Sequence, residues 1–206
     1  MSTPRHPSGE EWNPGEVTEA RQAASLILLR DSDAGAEVLL VQRNPEQRFM
    51  GGAWVFPGGA THDEDADHRA TALRELEEEA GVTLPGDTEL VAFSRWITPE
   101  EVKVRFDTWF FAAEALDGIE PRPDGNECVD VRWLTPSAAL AQHAQDELAL
   151  VFPTIKHLER LSETGTVEET LTAARGRTVE PVMPKVALRD GTAHVLLPGD
   201  AGYDEA

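Results

Sequence analysis

A single cysteine, Cys128, among 206 residues leaves no partner within the chain for a disulfide and no set of thiolates for a cysteine-only zinc site. On an apolar stretch, Cys128 reads as a small core residue. Cations are scarce too. Eighteen lysines and arginines face thirty-eight aspartates and glutamates, for a net charge of −20, and such a field repels nucleic acid and anionic membrane surfaces. Neither is therefore expected as a partner, and an anionic substrate would need cations placed locally. No apolar run approaches the length of a membrane span. The first thirty residues also lack the basic-then-apolar order of a secretory signal, so a cytoplasmic protein is expected.

The length suits one domain with extensions. Residues 1–18 carry Pro4, Pro7, Gly9, Pro14 and Gly15 with little apolar content, and read as a poorly ordered arm. Residues 19–160 hold the strand-like and helix-like runs of a domain, and 161–206 read as an extension of a short helix plus a hairpin. Ala23 to Arg30 and Glu37 to Arg43 are aliphatic runs separated by Asp31-Ser32-Asp33-Ala34-Gly35, a hairpin pattern. Trp54 to Phe56, Glu89 to Ile97, Val102 to Ala113 and Cys128 to Leu134 have strand composition. Thr135-Pro136 opens a helix that should continue from Ala138 to Leu150, followed by helical spacing at Phe152 to Leu161 and Val167 to Ala174. Asp190-Gly191 between two short apolar runs predicts a closing hairpin. The order predicts an α/β protein with a mixed sheet and helices on both faces.

The most informative stretch runs from Phe56 to Val82. Ala, Leu, Arg and Glu favour a helix over residues 68–80, which puts Glu75, Glu78 and Glu79 at i, i+3 and i+4 on one face. Alone, such a run is commonly a solvated acidic face. Like charges at those spacings destabilise a helix, however, and a cation would neutralise them; hard carboxylate oxygens favour Mg²⁺ or Mn²⁺. The helix follows Phe56-Pro57-Gly58-Gly59, where glycines allow close backbone approach, and stops at Gly81.

Arg74-Glu75-Leu76-Glu77-Glu78-Glu79-Ala80-Gly81-Val82 resembles the signature of the Nudix hydrolases, whose second half is R-E-U-x-E-E-x-G-U with U aliphatic. Every fixed position matches. The first half departs: Gly59 lies one residue too far from Arg74, so the family's upstream Glu falls on Asp65 or Ala66. The resemblance implies an α/β/α sandwich and hydrolysis of a diphosphate in a small nucleotide-type substrate. It also implies a metal held by Glu75 and Glu79, with Glu78 as ligand or base, and a backbone carbonyl from Gly58 or Gly59. Arg74 then supports the catalytic carboxylates. Glu100, Glu101 and Glu127 are further candidates for the base, and homodimers are common in the family.

A second pattern concerns the substrate. Leu39-Leu40-Val41-Gln42-Arg43-Asn44, then Arg48, Gly52 and Phe56-Pro57-Gly58-Gly59, keep all the spacings of the motif found in coenzyme A diphosphatases of this family, with Val41 and Asn44 as substitutions. Arg43 and Arg48 would read substrate phosphates, beside Gly58. Ser94 to Pro99 and Arg105 to Phe111 resemble the acyl-CoA branch. Pro99 also lies near a position used by ADP-ribose diphosphatases, so ADP-ribose or a nucleoside-diphosphate sugar is the alternative substrate. Trp96, Trp109 and Phe111 could stack an adenine, although such aromatics are more often core. A non-catalytic binding protein on the same fold is the third reading, against which the intact glutamates argue. The six histidines, His62 and His68 included, form no convincing metal pair.

Overall fold

The computed structural model describes residues 13, 15–189 and 192–205. The order of elements is β1 (Arg21–Ser32), β2 (Gly35–Arg43), β3 (Trp54–Val55), β4 (Gly58–Ala60), α1 (His68–Ala80), β5 (Val91–Ile97), β6 (Phe106–Glu114), β7 (Cys128–Leu134), α2 (Pro136–Ala144), α3 (Phe152–Leu161), α4 (Val167–Arg175), β8 (Pro181–Val182), β9 (Lys185–Arg189) and β10 (Thr192–Leu196). One sheet runs in the order β3-β2-β1-β6-β5-β8, with β4 against β1 and β7 against β2. It is mixed, because β1–β6 and β5–β8 are parallel while the other pairs are antiparallel.

Residues 23–29 of β1 are buried without interruption, as expected of a strand covered on both faces. Because successive side chains point to opposite faces, Ile27 and Leu29 enter one core with Val38, Leu40, Phe110, Leu158 and Leu171, under α2, α3 and α4. Leu26 and Leu28 enter the other with Leu39, Val41, Phe111 and Cys128, under Ala72 and Leu76 of α1. Each fully buried leucine contributes about 1.5–3 kcal/mol. The result is the expected α/β/α sandwich. Cys128 is wholly buried, as expected of a core residue.

One irregularity of the sheet positions the site. The end of β1 pairs with the start of β2, from Leu29↔Val38 to Ser32↔Gly35. The start of β1 pairs instead with β4, and the end of β2 with β3. Residues 54–60 therefore fill the gap between diverging strands, with Pro57 at the corner. Its carbonyl accepts from Leu26 N–H at 2.9 Å and from Ser25 Oγ at 2.8 Å.

Several expectations need correction. The helix expected to reach Leu150 ends at Ala144. His143 Nδ1 bonds the Leu148 carbonyl at 2.9 Å, Leu148 is fully buried, and Ala149 O accepts from Trp54 N–H at 2.8 Å, so the segment is spent on the edge of β3. The strand expected from Val102 begins at Phe106, since Val102 closes a turn on Pro99 O at 3.2 Å. Beyond α4 the chain holds no further helix among the described residues, and Pro181 begins β8, an edge strand, where a missing N–H costs no ladder bond. The hairpin β9–β10 pairs as expected, while its turn, Asp190-Gly191, lies outside the described residues, as does most of the N-terminal arm, residues 1–18. No helix among the described residues is long and apolar enough to cross a membrane.

His157 of α3 shows what this core demands. It is 2% exposed, ringed by Phe56, Phe93, Trp96 and Phe110, and its Nε2 lies 2.5 Å from Ser94 Oγ. Burial pushes its pKa from the ordinary 6.5 down to about 3. A base with a depressed folded pKa contributes its stability above its unfolded pKa and loses it as pH falls toward the folded one. The stability advantage of the wild type over His157→Gln should therefore shrink by about 1.4 kcal/mol per pH unit below pH 6.5. Urea unfolding of both proteins between pH 7 and 4 measures this, and a pH-independent difference would contradict it.

Candidate active site

Helix α1 is delimited as its sequence suggests. Asp67 caps its N-terminus, accepting from Arg69 and Ala70 N–H at 2.9 Å each, and Gly81 closes it at φ 63°, where a side chain would be strained. The three glutamates do not share one environment. Glu75 and Glu79 turn toward the sheet and are 7% and 2% exposed, while the Glu78 side chain stands in solvent. Glu79 Oε2 accepts from Gly58 N–H at 2.9 Å, and its Oε1 lies 3.8 Å from Arg43. Burial, reinforced by the charge of Glu75, pushes Glu79 up to about 7, and burial raises Glu75 as well. Burial and the adjacent Glu79 push the Cys128 thiol far up, so it stays protonated.

Both glycines sit close against their neighbours. A Cβ on Gly58 would lie 2.7 Å from the Ala24 carbonyl oxygen, and one on Gly59 would strike the Glu75 carboxylate, 2.7 Å from its Cδ. Arg74 then fixes the cluster. Its Nη1 bonds Glu75 Oε1 and Glu78 Oε2 at 2.8 Å each, its Nη2 bonds Ala60 O at 2.9 Å, and its fork grips Asp65 at 3.0 and 3.1 Å. That fork holds the Asp65 carboxyl well below the usual carboxylate range. The loop with one extra residue thus keeps a carboxylate on Arg74, a role the sequence spacing left undecided between positions 65 and 66. Among the described residues no three Asp, Glu, His or Cys side chains converge as a preformed cation cage.

These groups border a cavity of about 440 Å³. Glu75, Glu78, Glu79, Arg43, Arg74, Gly58, Gly59 and Glu127 all line it; Glu100, Glu101 and Arg48 do not. Arg48 is exposed. Residues 47–53 turn back on Asn44 and Met50, through Met50 at φ 52° and Gly52 at φ 79°, and offer Phe49 and Met50 to the cavity instead. Of the three aromatics, only Trp96 reaches the cavity; Phe111 is buried under α1 and Trp109 lies beside His68 and Arg95. His62 and Arg21 also line it, and sequence reasoning passed over Arg21, which carries no motif.

A family model described as the NUDIX domain matches residues 20–154. The chain belongs to the Nudix hydrolase family. A probable nudix hydrolase of Schizosaccharomyces pombe is 38% identical over 81 residues, covering 39% of this chain and 28% of the yeast protein. The human acyl-coenzyme A diphosphatase NUDT19 is 25% identical across an alignment that covers 100% of this chain and 84% of the human protein. Among solved structures, a NUDIX hydrolase from Alicyclobacillus acidocaldarius superposes with a TM-score of 0.68 at 28% identity, covering 79% of this chain and 98% of that one. The mixed sheet between helices is thus the Nudix fold.

Substituting Gly58 tests the packing of the site. Gly58→Ala, whose methyl would meet the β1 backbone at 2.7 Å, should cost about 1–3 kcal/mol of stability. Gly86→Ala, where nothing lies within 4 Å, should stay within about 0.5 kcal/mol of the wild type. Urea denaturation compares them, and equal effects would contradict the contact.

Proposed function

We propose that this protein hydrolyses a diphosphate linkage with the help of Mg²⁺ or Mn²⁺, and that its substrate is coenzyme A or an acyl-CoA. The observation that carries the reading is the pair Glu75 and Glu79, two buried like-charged carboxylates held beside Gly58 and Gly59 at the acidic end of the cavity. Arg74 offsets the charge of Glu75, a bound divalent ion would offset what remains, and the hard carboxylate oxygens suit these ions. Glu75 and Glu79 would hold the ion, with Glu78 and a Gly59 carbonyl completing the set. When bound, it neutralises the diphosphate oxygens and acidifies water.

The remaining steps belong to the protein. Arg74 orients Glu75 and Glu78 through its two 2.8 Å bonds, the kind of support that carboxylate ligands depend on. Arg43, in the cavity wall and paired with Glu79 only at 3.8 Å, can turn its guanidinium to a substrate phosphate, and Gly58 keeps that wall free of a side chain. The proton of the attacking water goes to a carboxylate in the wall, Glu78 or Glu127. Water adds to one phosphorus as the bond from that phosphorus to the bridging oxygen breaks. For CoA the products are 3′,5′-ADP and 4′-phosphopantetheine. The retained arginine spacing and the end-to-end similarity to the human acyl-CoA diphosphatase support this substrate class.

Hydrolysis should require added Mg²⁺ or Mn²⁺, and Glu79→Gln or Glu75→Gln should lower kcat/KM by at least ~10–100-fold without unfolding the chain. Mass analysis of products from CoA, acetyl-CoA, ADP-ribose and UDP-glucose, with and without EDTA, reads both points. A tenfold preference for ADP-ribose would replace the CoA reading, and cleavage of none of the four would favour a binding protein.

A further inference from the structure

The cavity has two chemically different halves. One is the acidic end around α1. Another stretch of its lining is apolar, formed by Trp96, Phe106, Phe152 and Pro153 together with Pro184 and Val195. The last two belong to the C-terminal segment, beyond residue 154 where the match to the family ends.

This half is poorly furnished to read a nucleobase. Pro99, Pro153 and Pro184 have no backbone N–H to offer a base edge. Thr98 is already engaged, its Oγ1 accepting from Phe106 N–H at 3.0 Å and its carbonyl from Arg105 Nε at 3.0 Å. The charged side chain at its border, Arg21, lies over the Phe106 ring at 4.7 Å. Each of these prolines removes a donor that a purine edge would use, whereas a hydrocarbon chain gives up no hydrogen bond.

The wall is also anchored. Arg105, 8% exposed, donates to Thr98 O and Thr18 O and approaches Met183 Sδ at 3.9 Å. Tyr203 Oη donates to Met183 O at 2.7 Å, and Lys185 Nζ to Tyr203 O at 3.0 Å. Residues on both sides of Pro184 are therefore tied down, and β8 is stitched to β5 at Arg95 and Trp96.

We propose that the apolar half binds an aliphatic chain carried by the substrate, such as the acyl group of a thioester, and that Pro184 and Val195 of the C-terminal segment set the length accepted. The identity of the diphosphate rests on the CoA reading above; the chain-binding half rests on its own lining.

Calorimetric titration of the full chain with S-hexanoyl-pantetheine and with pantetheine, neither of which carries a diphosphate, reads the apolar half alone. The hexanoyl compound should bind at least about tenfold more tightly. With Mg²⁺, kcat/KM for hexanoyl-CoA should exceed that for CoA by about tenfold, and the ratio should fall toward one in Val195→Trp. Val195→Ala, a gentler change, should shift the preference toward decanoyl-CoA. Equal binding of the two pantetheines, or binding of neither, overturns the proposal whatever the protein hydrolyses. A chain preference unchanged in both Val195 variants overturns the role of the wall. A hexanoyl preference in binding with no cleavage of either CoA compound refutes the CoA reading and upholds the apolar site.

Discussion

The rest of the site is arranged around the burial of two like charges, Glu75 and Glu79, on one side of a thirteen-residue helix. A carboxylate moved out of water must be paired, hydrogen-bonded or protonated, and each neighbour of this pair supplies one of those remedies. Gly58 gives Glu79 a backbone N–H, Arg74 gives Glu75 a guanidinium, and burial raises the pKa of both acids. Gly58 is needed because nothing larger leaves space for the adjoining β1 backbone, and Gly59 leaves room for the carboxylate of Glu75. Asp65 is needed because Arg74 must be held while it serves two glutamates. Such a cluster opposes folding.

The sheet provides the rigid frame for that arrangement. Divergence of β1 and β2 opens a gap that residues 54–60 fill, and this fixes the glycine turn between the strands and α1. Both faces of β1 are buried, so the turn is supported from below by one core and the helix by the other. The segment beyond residue 175 adds β8 to the far edge and contributes Pro184 and Val195 to the cavity lining. One cavity is thereby given a charged end from the middle of the chain and an apolar end assembled partly from its C-terminal segment.

Much of this was legible in the sequence, for physical reasons that differ by element. The strands β1 and β2 announce themselves because burial on both faces requires continuous aliphatic runs, and α1 because its cap, its carboxylate spacing and Gly81 all agree. Local signals failed where tertiary contacts decide. The shortening of α2 depends on pairing to β3. In the site, the split between inward Glu75 and Glu79 and outward Glu78 needs the sheet to define inward. Arg48 kept its motif spacing but the turn at Met50 and Gly52 carries it out of the cavity wall, while Arg21 enters that wall with no motif at all. Asp65 became interpretable once the loop path placed it on Arg74.

Under the proposed function, Glu75 and Glu79 are buried in order to hold a divalent cation. Titration of the protein with Mn²⁺, followed by the loss of the free-ion electron paramagnetic resonance signal, tests that claim without any substrate. The wild type should bind Mn²⁺ with saturable stoichiometry, Mg²⁺ should compete, and Glu79→Gln should weaken the affinity by at least ~10–100-fold while its far-ultraviolet circular dichroism is unchanged. Equal Mn²⁺ affinity in the folded wild type and the folded variant would contradict the claim.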